Sequence, residues 1–140
     1  MSKKKVTSAD LYAYRATVRS VYDGDTFRAD LDLGLGVVFS GESGNGVALR
    51  LLGCNAIELK DAGGPESKQN LEKLLPVGSH VTLRTVRPDK FGGRYDAQIT
   101  LADGRDLVGT LIAQGYAVPY SGEGTKHTPA FPIVVPAPKV

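Results

Sequence analysis

The strictest pattern in this sequence is an alternation of apolar and charged residues between Asp25 and Leu33. Phe27, Ala29, Leu31 and Leu33 alternate with Arg28, Asp30 and Asp32. Side chains of a β-strand point alternately to its two faces, so this period of two predicts a strand with one buried face. The inward row extends back to Asp25, which places a carboxylate at its end.

Four further segments have the composition of strands. Tyr95–Leu101 repeats the alternation, and the other three cover 14–21, 47–52 and 81–86. The segment 55–64 that follows the third strand is expected to be irregular.

Helical patterns occur at two places. The first helix opens at Gly64-Pro65-Glu66, because proline and an acidic residue suit a first turn. The second covers 107–114. The order β-β-β-α-β-β-α is the layout of a partly open Greek-key barrel of the OB kind. We therefore expect a mainly β (α+β) fold, a five-stranded OB-fold barrel with two or three short helices.

The length of 140 residues suits one domain. We expect an N-terminal tail at 1–13, the barrel domain at 14–121 and a proline-rich tail at 122–140. Prolines exclude regular structure over most of that last tail, so it should run extended over the surface or be disordered. The sequence leaves open whether its apolar residues pack onto the domain.

Charge and cysteine content say little about partners or compartment. A net charge of +2 does not by itself indicate nucleic acid. The single cysteine, Cys54, excludes an internal disulfide. No apolar stretch approaches the roughly 20 residues of a membrane span, and no apolar signal-peptide core follows Lys3, Lys4 and Lys5. We expect a cytoplasmic monomer without a membrane partner, with secretion left open.

Three short segments carry charges that could serve chemistry, and each also has an ordinary structural explanation. Asp23–Thr26 (DGDT) is a common turn sequence. An EF-hand loop needs an acidic residue at its twelfth position, but counting from Asp23 or Asp25 leads to Gly34 or Gly36, which excludes that loop. Arg50–Glu58 (RLLGCNAIE) begins with a charge in an apolar strand, which needs either a structural carboxylate or an anionic ligand. Asp89–Arg94 (DKFGGR) is also typical of a solvated turn.

Together, the three segments supply what phosphodiester hydrolysis requires. A hard cation takes oxygen ligands, and a carboxylate can position the attacking water and accept its proton. Fixed guanidinium groups can bind the charge that develops on phosphate in the transition state.

The ordered set DGDT, RLLGCNAIE and DKFGGR resembles the staphylococcal nuclease (thermonuclease) family. The similarity runs from about Tyr14 to Tyr120, and includes GPES at the first helix and LADGRDLVGTLIAQGYAVPY near its end. The resemblance implies an OB barrel, bound Ca²⁺, and hydrolysis of DNA and/or RNA to products with 3′-phosphates. We expect single strands to be the better substrate, because unstacked bases and an exposed backbone fit a barrel groove.

The resemblance also implies a metal site. Asp25, Asn55 and the backbone carbonyl of Ala56 match the metal ligands, and Asp23 matches an acid that lies near the metal.

Catalytic and substrate-binding roles follow from the same resemblance. Glu58 matches the carboxylate that orients or deprotonates the attacking water, and Arg50 and Arg94 match the two phosphate-binding arginines. The candidates for further substrate contacts are Lys90, Phe91, Tyr116 and Tyr120.

Three residues depart from the family pattern. Asn55 stands in place of the usual aspartate, so the site loses one negative charge and we expect weaker Ca²⁺ binding. Ile57 replaces the usual proline, so the loop that holds Glu58 should be less rigid. Gly93 is an additional residue, which should alter the reach of Arg94.

Two other interpretations stay open: a non-catalytic OB-fold module that binds nucleic acid, and a barrel with a purely structural role. A phosphate binder gains nothing from Asp25 and Glu58 beside its ligand, because without a metal they repel it. Their presence together with both arginines favours the enzyme.

Overall fold

The computed structural model describes residues 12–90, 92–122 and 124–135. Within these ranges there are eight strands and two helices. The elements are β1 Tyr14–Asp23, β2 Thr26–Asp32, β3 Val38–Phe39, β4 Val47–Leu51, β5 Cys54–Asn55, α1 Gly64–Leu74, β6 His80–Pro88, β7 Tyr95–Thr100, α2 Leu107–Ala113 and β8 Val118–Pro119.

Five strands close into a barrel. They follow the order β1-β6-β7-β4-β2, and β2 pairs back with β1. β4 and β7 run parallel, whereas the other barrel pairs are antiparallel. β3 pairs with β2 at the edge of this sheet, and β5 and β8 form a separate two-stranded sheet. The predicted mainly β class, with an OB-like five-stranded barrel and two helices, is confirmed.

The alternating strands supply the core, as the period of two predicts. In β2, Phe27, Ala29 and Leu31 are buried. The prediction that Leu33 continues this row is wrong, because the strand ends at Asp32 and Leu33 is 46% exposed. The Asp32 carboxylate accepts a hydrogen bond from Gly34 N, which turns the chain at this point.

The helices begin where the sequence predicts. α1 starts at Gly64 and packs against β1. A side chain at Gly64 would collide with the carbonyl oxygens of Glu58 and Leu59, so α1 begins directly against the loop that carries Glu58. α2 packs against β7, and Asp106 caps it by accepting a hydrogen bond from Gly109 N at 2.8 Å.

The short strands β3, β5 and β8 were not predicted. Asn55, placed at the start of an irregular segment, is instead the second residue of β5 and pairs with Val118. β5 and β8 have two residues each, too few for a period to show, and they pair with each other across a long stretch of the chain. No local pattern could therefore reveal this sheet.

The C-terminal tail packs onto the domain without forming a helix or strand in the part described, 122 and 124–135. A side chain at Gly63 would collide with the ring of Phe131, and one at Gly115 would collide with the carbonyl of Val134. Residues 1–11 and 136–140 of the two predicted tails lie outside the described residues. Neither described helix is long and apolar enough to cross a membrane.

Candidate functional site

The turn between β1 and β2 holds Asp25 against the segment that follows β4. Gly24 lies so close to Ser67 of α1 and to Ala56 that no Cβ could be added there. Asp25 is buried, and Thr26 Oγ1 donates a hydrogen bond to its Oδ1 at 3.1 Å. Ala56 N donates to its Oδ2 at 3.0 Å. DGDT and RLLGCNAIE are thus in direct contact.

Arg50 joins the same cluster from β4, where its register partner in β2 is Thr26. Its Nη2 lies 3.5 Å from Asp25 Oδ2 and also donates a hydrogen bond to Asn55 Oδ1. Its Nη1 donates to Leu51 O at 2.8 Å. The charge that looked costly in an apolar strand is therefore neutralised by a carboxylate.

Asp23 adds a second carboxylate next to Asp25. Its Oδ1 accepts a hydrogen bond from Asp25 N at 3.1 Å. Burial, and then the negative charge of Asp25, raise the pKa of Asp23 to about 6. The turn therefore brings two carboxylates together in a partly buried place, where a bound cation would favour their charged forms.

A cavity of about 430 Å³ opens beside this cluster. Three parts of the chain form it: the end of β4 with β5, the turn between β6 and β7, and the segment after β8. The charged residues in its wall are Arg50, Arg87, Lys90, Arg94, Lys126, Asp89 and Asp96. Cations outnumber carboxylates in this wall, so the cavity suits an anionic ligand.

Arg94 lines the cavity from the turn between β6 and β7. Gly92 and Gly93 in this turn both have a positive φ, 75° and 74°, which glycine adopts without strain. Asp89 N donates a hydrogen bond to Arg94 O at 3.0 Å and closes the turn. The Asp89 carboxylate then lies 3.2 Å from Arg94 Nε, which holds the guanidinium in the wall.

Asp96 is a cavity residue that sequence reasoning missed. It faces Arg50 of β4 on one side and Arg87 of β6 on the other in the strand register. Burial, and then a hydrogen bond with Asp89 and its charge, raise the pKa of Asp96 to about 6. The alternation in β7 places Asp96 on the polar face of the strand. The sequence does not indicate that Arg50 and Arg87 lie on either side of it.

Glu58 stands at the border of the site. Its Oε1 lies 3.4 Å from Lys126 Nζ, and its Oε2 lies 3.6 Å from Lys60 Nζ. Lys126 belongs to the cavity wall, so Glu58 adjoins the cavity through this lysine.

The predicted substrate-binding residues divide between cavity and core. Lys90 and Tyr120 line the cavity, and Lys90 Nζ donates a hydrogen bond to Gly122 O at 3.1 Å. Tyr116 packs against the hydrophobic core instead. Phe91 lies outside the described residues.

The oxygen donors fit Ca²⁺ in kind. Asp25 and the Asn55 amide oxygen share the Arg50 guanidinium, and Asp23 lies beside Asp25, so the cluster offers the hard oxygen donors that this ion takes. Among the described residues, however, no group of three or more His, Cys, Asp or Glu side chains is arranged to hold a metal. Arg50 already contacts Asp25 and Asn55, so an ion bound to both has to compete with its guanidinium.

Two further buried groups bear on the site. Asn55 is fully buried in the cavity wall, and its Nδ2 has no hydrogen-bond acceptor among the described residues. Burial, and then the charge of Asp25, raise the pKa of the Cys54 thiol to about 12. Cys54 therefore stays a neutral core residue rather than a nucleophile.

The chain was compared with models of protein families and with curated proteins, and neither comparison produced a match. Its function must therefore be inferred from the groups around the cavity and from the three segments that supply them.

Proposed function

We propose that the protein is a calcium-dependent phosphodiesterase that hydrolyses DNA and/or RNA, prefers single strands and leaves 3′-phosphates. One observation carries the proposal: residues of all three motif segments meet at one place. Asp25 contacts Arg50 and Ala56, and Arg50 shares a cavity wall with Arg94. The family resemblance of these segments supplies the reaction and the products.

Ca²⁺ would be held by the Asp25 carboxylate, the Asn55 amide oxygen and the backbone carbonyl oxygen of Ala56, with Asp23 close by. When bound, it supplies Lewis-acid activation of a phosphate oxygen. Arg50 and Arg94 bind the phosphate, since fixed guanidinium groups can donate two parallel hydrogen bonds to its oxygens. In the transition state these bonds strengthen as negative charge accumulates.

Glu58 orients or deprotonates the attacking water. For this it must give up at least one of its lysine partners, because each carboxylate oxygen has a lysine ammonium group within 4 Å, at 3.4 and 3.6 Å. Lys90 and Tyr120 extend the contact surface along the strand, where an aromatic ring can stack on an unpaired base.

The test is cleavage of a labelled single-stranded oligonucleotide, as DNA and as RNA, with Ca²⁺ and with chelator. We expect cleavage only with Ca²⁺, and a mobility shift of the products after phosphatase treatment. Glu58→Ala should lower the rate by about 10²-fold. Glu72→Ala, which removes an exposed acid on α1, should not. Cleavage in chelator, or full activity of Glu58→Ala, would contradict the mechanism.

A nucleic-acid-binding module without catalysis is the second candidate, and the internal pairing of the acids favours it. Arg50 already neutralises Asp25, and Glu58 is paired with two lysines. In that state the remaining cations of the wall can bind phosphate without a metal. Tight binding of the oligonucleotide in chelator, with no cleavage under any metal condition, would select this function.

A further inference from the structure

Glu58 has two lysine partners that differ in position. Lys60 is 80% exposed and lies outside the cavity wall, whereas Lys126 is 47% exposed and forms part of that wall. Only Lys126 is therefore placed to contact both Glu58 and a ligand in the cavity.

The chain contacts the domain at points before and after Lys126. On its N-terminal side, Tyr120 N donates a hydrogen bond to Gly53 O at 2.9 Å, and Gly122 O accepts one from Lys90. On its C-terminal side, the ring of Phe131 packs against Gly63 at the start of α1. Lys126 is thus carried by a segment that is attached to the barrel on both sides.

An anion that enters the cavity becomes a second possible partner for Lys126, which is already paired with Glu58. Its ion pair with Glu58 is partly exposed, and such pairs contribute little to stability because water screens them. A phosphodiester group of the strand carries one negative charge, like Glu58, and can accept a charge-assisted hydrogen bond from Lys126 beside the Arg50 and Arg94 guanidinium groups. Glu58 keeps Lys60 as its other partner when Lys126 leaves, so the exchange does not leave the carboxylate unpaired. The ammonium group should therefore move from Glu58 to the phosphate.

We infer that Lys126 is a substrate-contacting residue that exchanges Glu58 for a phosphate oxygen of the bound strand, and so frees Glu58 for the water. This inference depends on the function proposed above. The inferred exchange gives the proline-rich tail, which contains Lys126, a role in the site. It also means that binding of the strand in the cavity releases the Glu58 carboxylate from Lys126. No covalent bond changes in this exchange, which only redistributes hydrogen bonds.

Lys60→Met provides the matched control, since it removes the other ammonium group from Glu58 without altering the cavity wall. Binding of a fluorescein-labelled single-stranded DNA is measured by anisotropy in chelator, at several NaCl concentrations, and cleavage is measured with Ca²⁺. Lys126→Met should weaken binding about five- to tenfold and reduce the dependence of log K on log salt by about 0.7. Lys60→Met should bind within about twofold of the unmodified protein, and Lys126→Arg should restore most of the affinity.

The outcomes separate this inference from the proposed function. If the unmodified protein binds and cleaves, and Lys126→Met matches Lys60→Met in affinity and salt dependence, Lys126 has no substrate role and the proposed function stands. If the unmodified protein neither binds nor cleaves, both fail. Both lysines are exposed and Met is apolar but flexible, so each variant should keep the urea midpoint of the unmodified protein.

Discussion

The cavity adjoins two carboxyl pairs that look alike and differ in their surroundings. Asp23 and Asp25 form the first pair, and Asp89 and Asp96 form the second. In each pair, burial together with a neighbouring acid raises the pKa of one member, Asp23 or Asp96, to about 6.

Their neighbours differ in kind. The first pair lies in one tight turn beside the Asn55 amide and contacts a single arginine, Arg50. The second pair spans a turn and a strand, and Asp96 lies between Arg50 and Arg87 in the strand register. Oxygen donors around an acid favour a metal ligand, whereas guanidinium groups around it favour an anchor for those cations. The surroundings of a carboxyl pair, rather than the pair itself, therefore decide its role.

The largest effect that separates the two pairs should come from Asp25→Asn. This change removes a ligand charge, so we expect the Ca²⁺-stimulated cleavage rate to fall by about 10²–10³-fold, because Lewis-acid activation contributes several kcal/mol. Asp89→Asn changes the partner of Arg94 and Asp96 but removes no expected metal ligand, so it should cost about tenfold with the Ca²⁺ dependence intact. Rates measured across a Ca²⁺ titration check both variants. Loss of the Ca²⁺ dependence in Asp89→Asn would remove the distinction.

Replacing each arginine should sharpen the comparison. Arg50→Met and Arg94→Met should both lower kcat by about 10²-fold. Only Arg50→Met should also bind Ca²⁺ more tightly, because it frees the oxygens of Asp25 and Asn55. It should lose about 3 kcal/mol of unfolding free energy without Ca²⁺, since a nearly buried carboxylate then lacks its partner, and recover part of this with Ca²⁺.

Calorimetry and urea unfolding measure these quantities. Arg84→Met, an exposed strand arginine outside the cavity wall, is the control. Equal Ca²⁺ affinity in Arg50→Met and the unmodified protein would mean that Arg50 does not compete for the metal site.

Asn55→Asp adds a third carboxylate beside the first pair and tests how the charge of the site affects Ca²⁺ binding. The added carboxylate should strengthen Ca²⁺ binding about tenfold, because a charged ligand replaces an amide in the same place. Isothermal titration calorimetry decides the sign. Tighter binding by the natural Asn55 would contradict the expectation that this site is weakened by its asparagine.

The smallest effect concerns the pH dependence of stability at the second pair. The pKa of Asp96 is higher in the folded state than in the unfolded state, so its stabilising contribution is complete below about pH 4 and is lost as pH rises through about 6. Asp96→Asn should therefore gain about 1 kcal/mol over the unmodified protein at pH 8, a value discounted for its partial exposure, and should gain less at pH 5.

Asp103→Asn should behave in the opposite way. Hydrogen bonds from the backbone and side chain of Arg105 lower the pKa of Asp103, so its contribution is present at neutral pH and lost in acid. Urea unfolding at pH 5 and pH 8 tests Asp96→Asn, and a further measurement below about pH 4 tests Asp103→Asn. A flat difference between Asp96→Asn and the unmodified protein across this range would mean that Asp96 titrates normally.

The sequence could predict features whose signal lies within one segment. The buried row of Phe27, Ala29 and Leu31 follows from a period of two, and the need of Arg50 for a partner follows from its apolar strand. Leu33 was misplaced because a turn, set by Asp32 and Gly34, overrides the period at its end.

Features that depend on distant segments could not be predicted. Asp96 became a cavity residue only through its register with Arg50 and Arg87. Lys126 lies in a proline-rich segment without periodicity, and only the packing of that segment onto the barrel brings it to Glu58. The roles proposed for individual residues come from the family resemblance alone, since no alternation or composition indicates them.

The pairing of Cys54 and Asn55 with Val118 and Pro119 has a consequence for biosynthesis. All five barrel strands leave the ribosome before the partner of Asn55 does. Until this later segment is available, Asn55 lacks its backbone neighbour and the cavity wall lacks Tyr120 and Lys126. Any chemistry of this cavity therefore begins only after the segment that contains β8 has docked on the barrel.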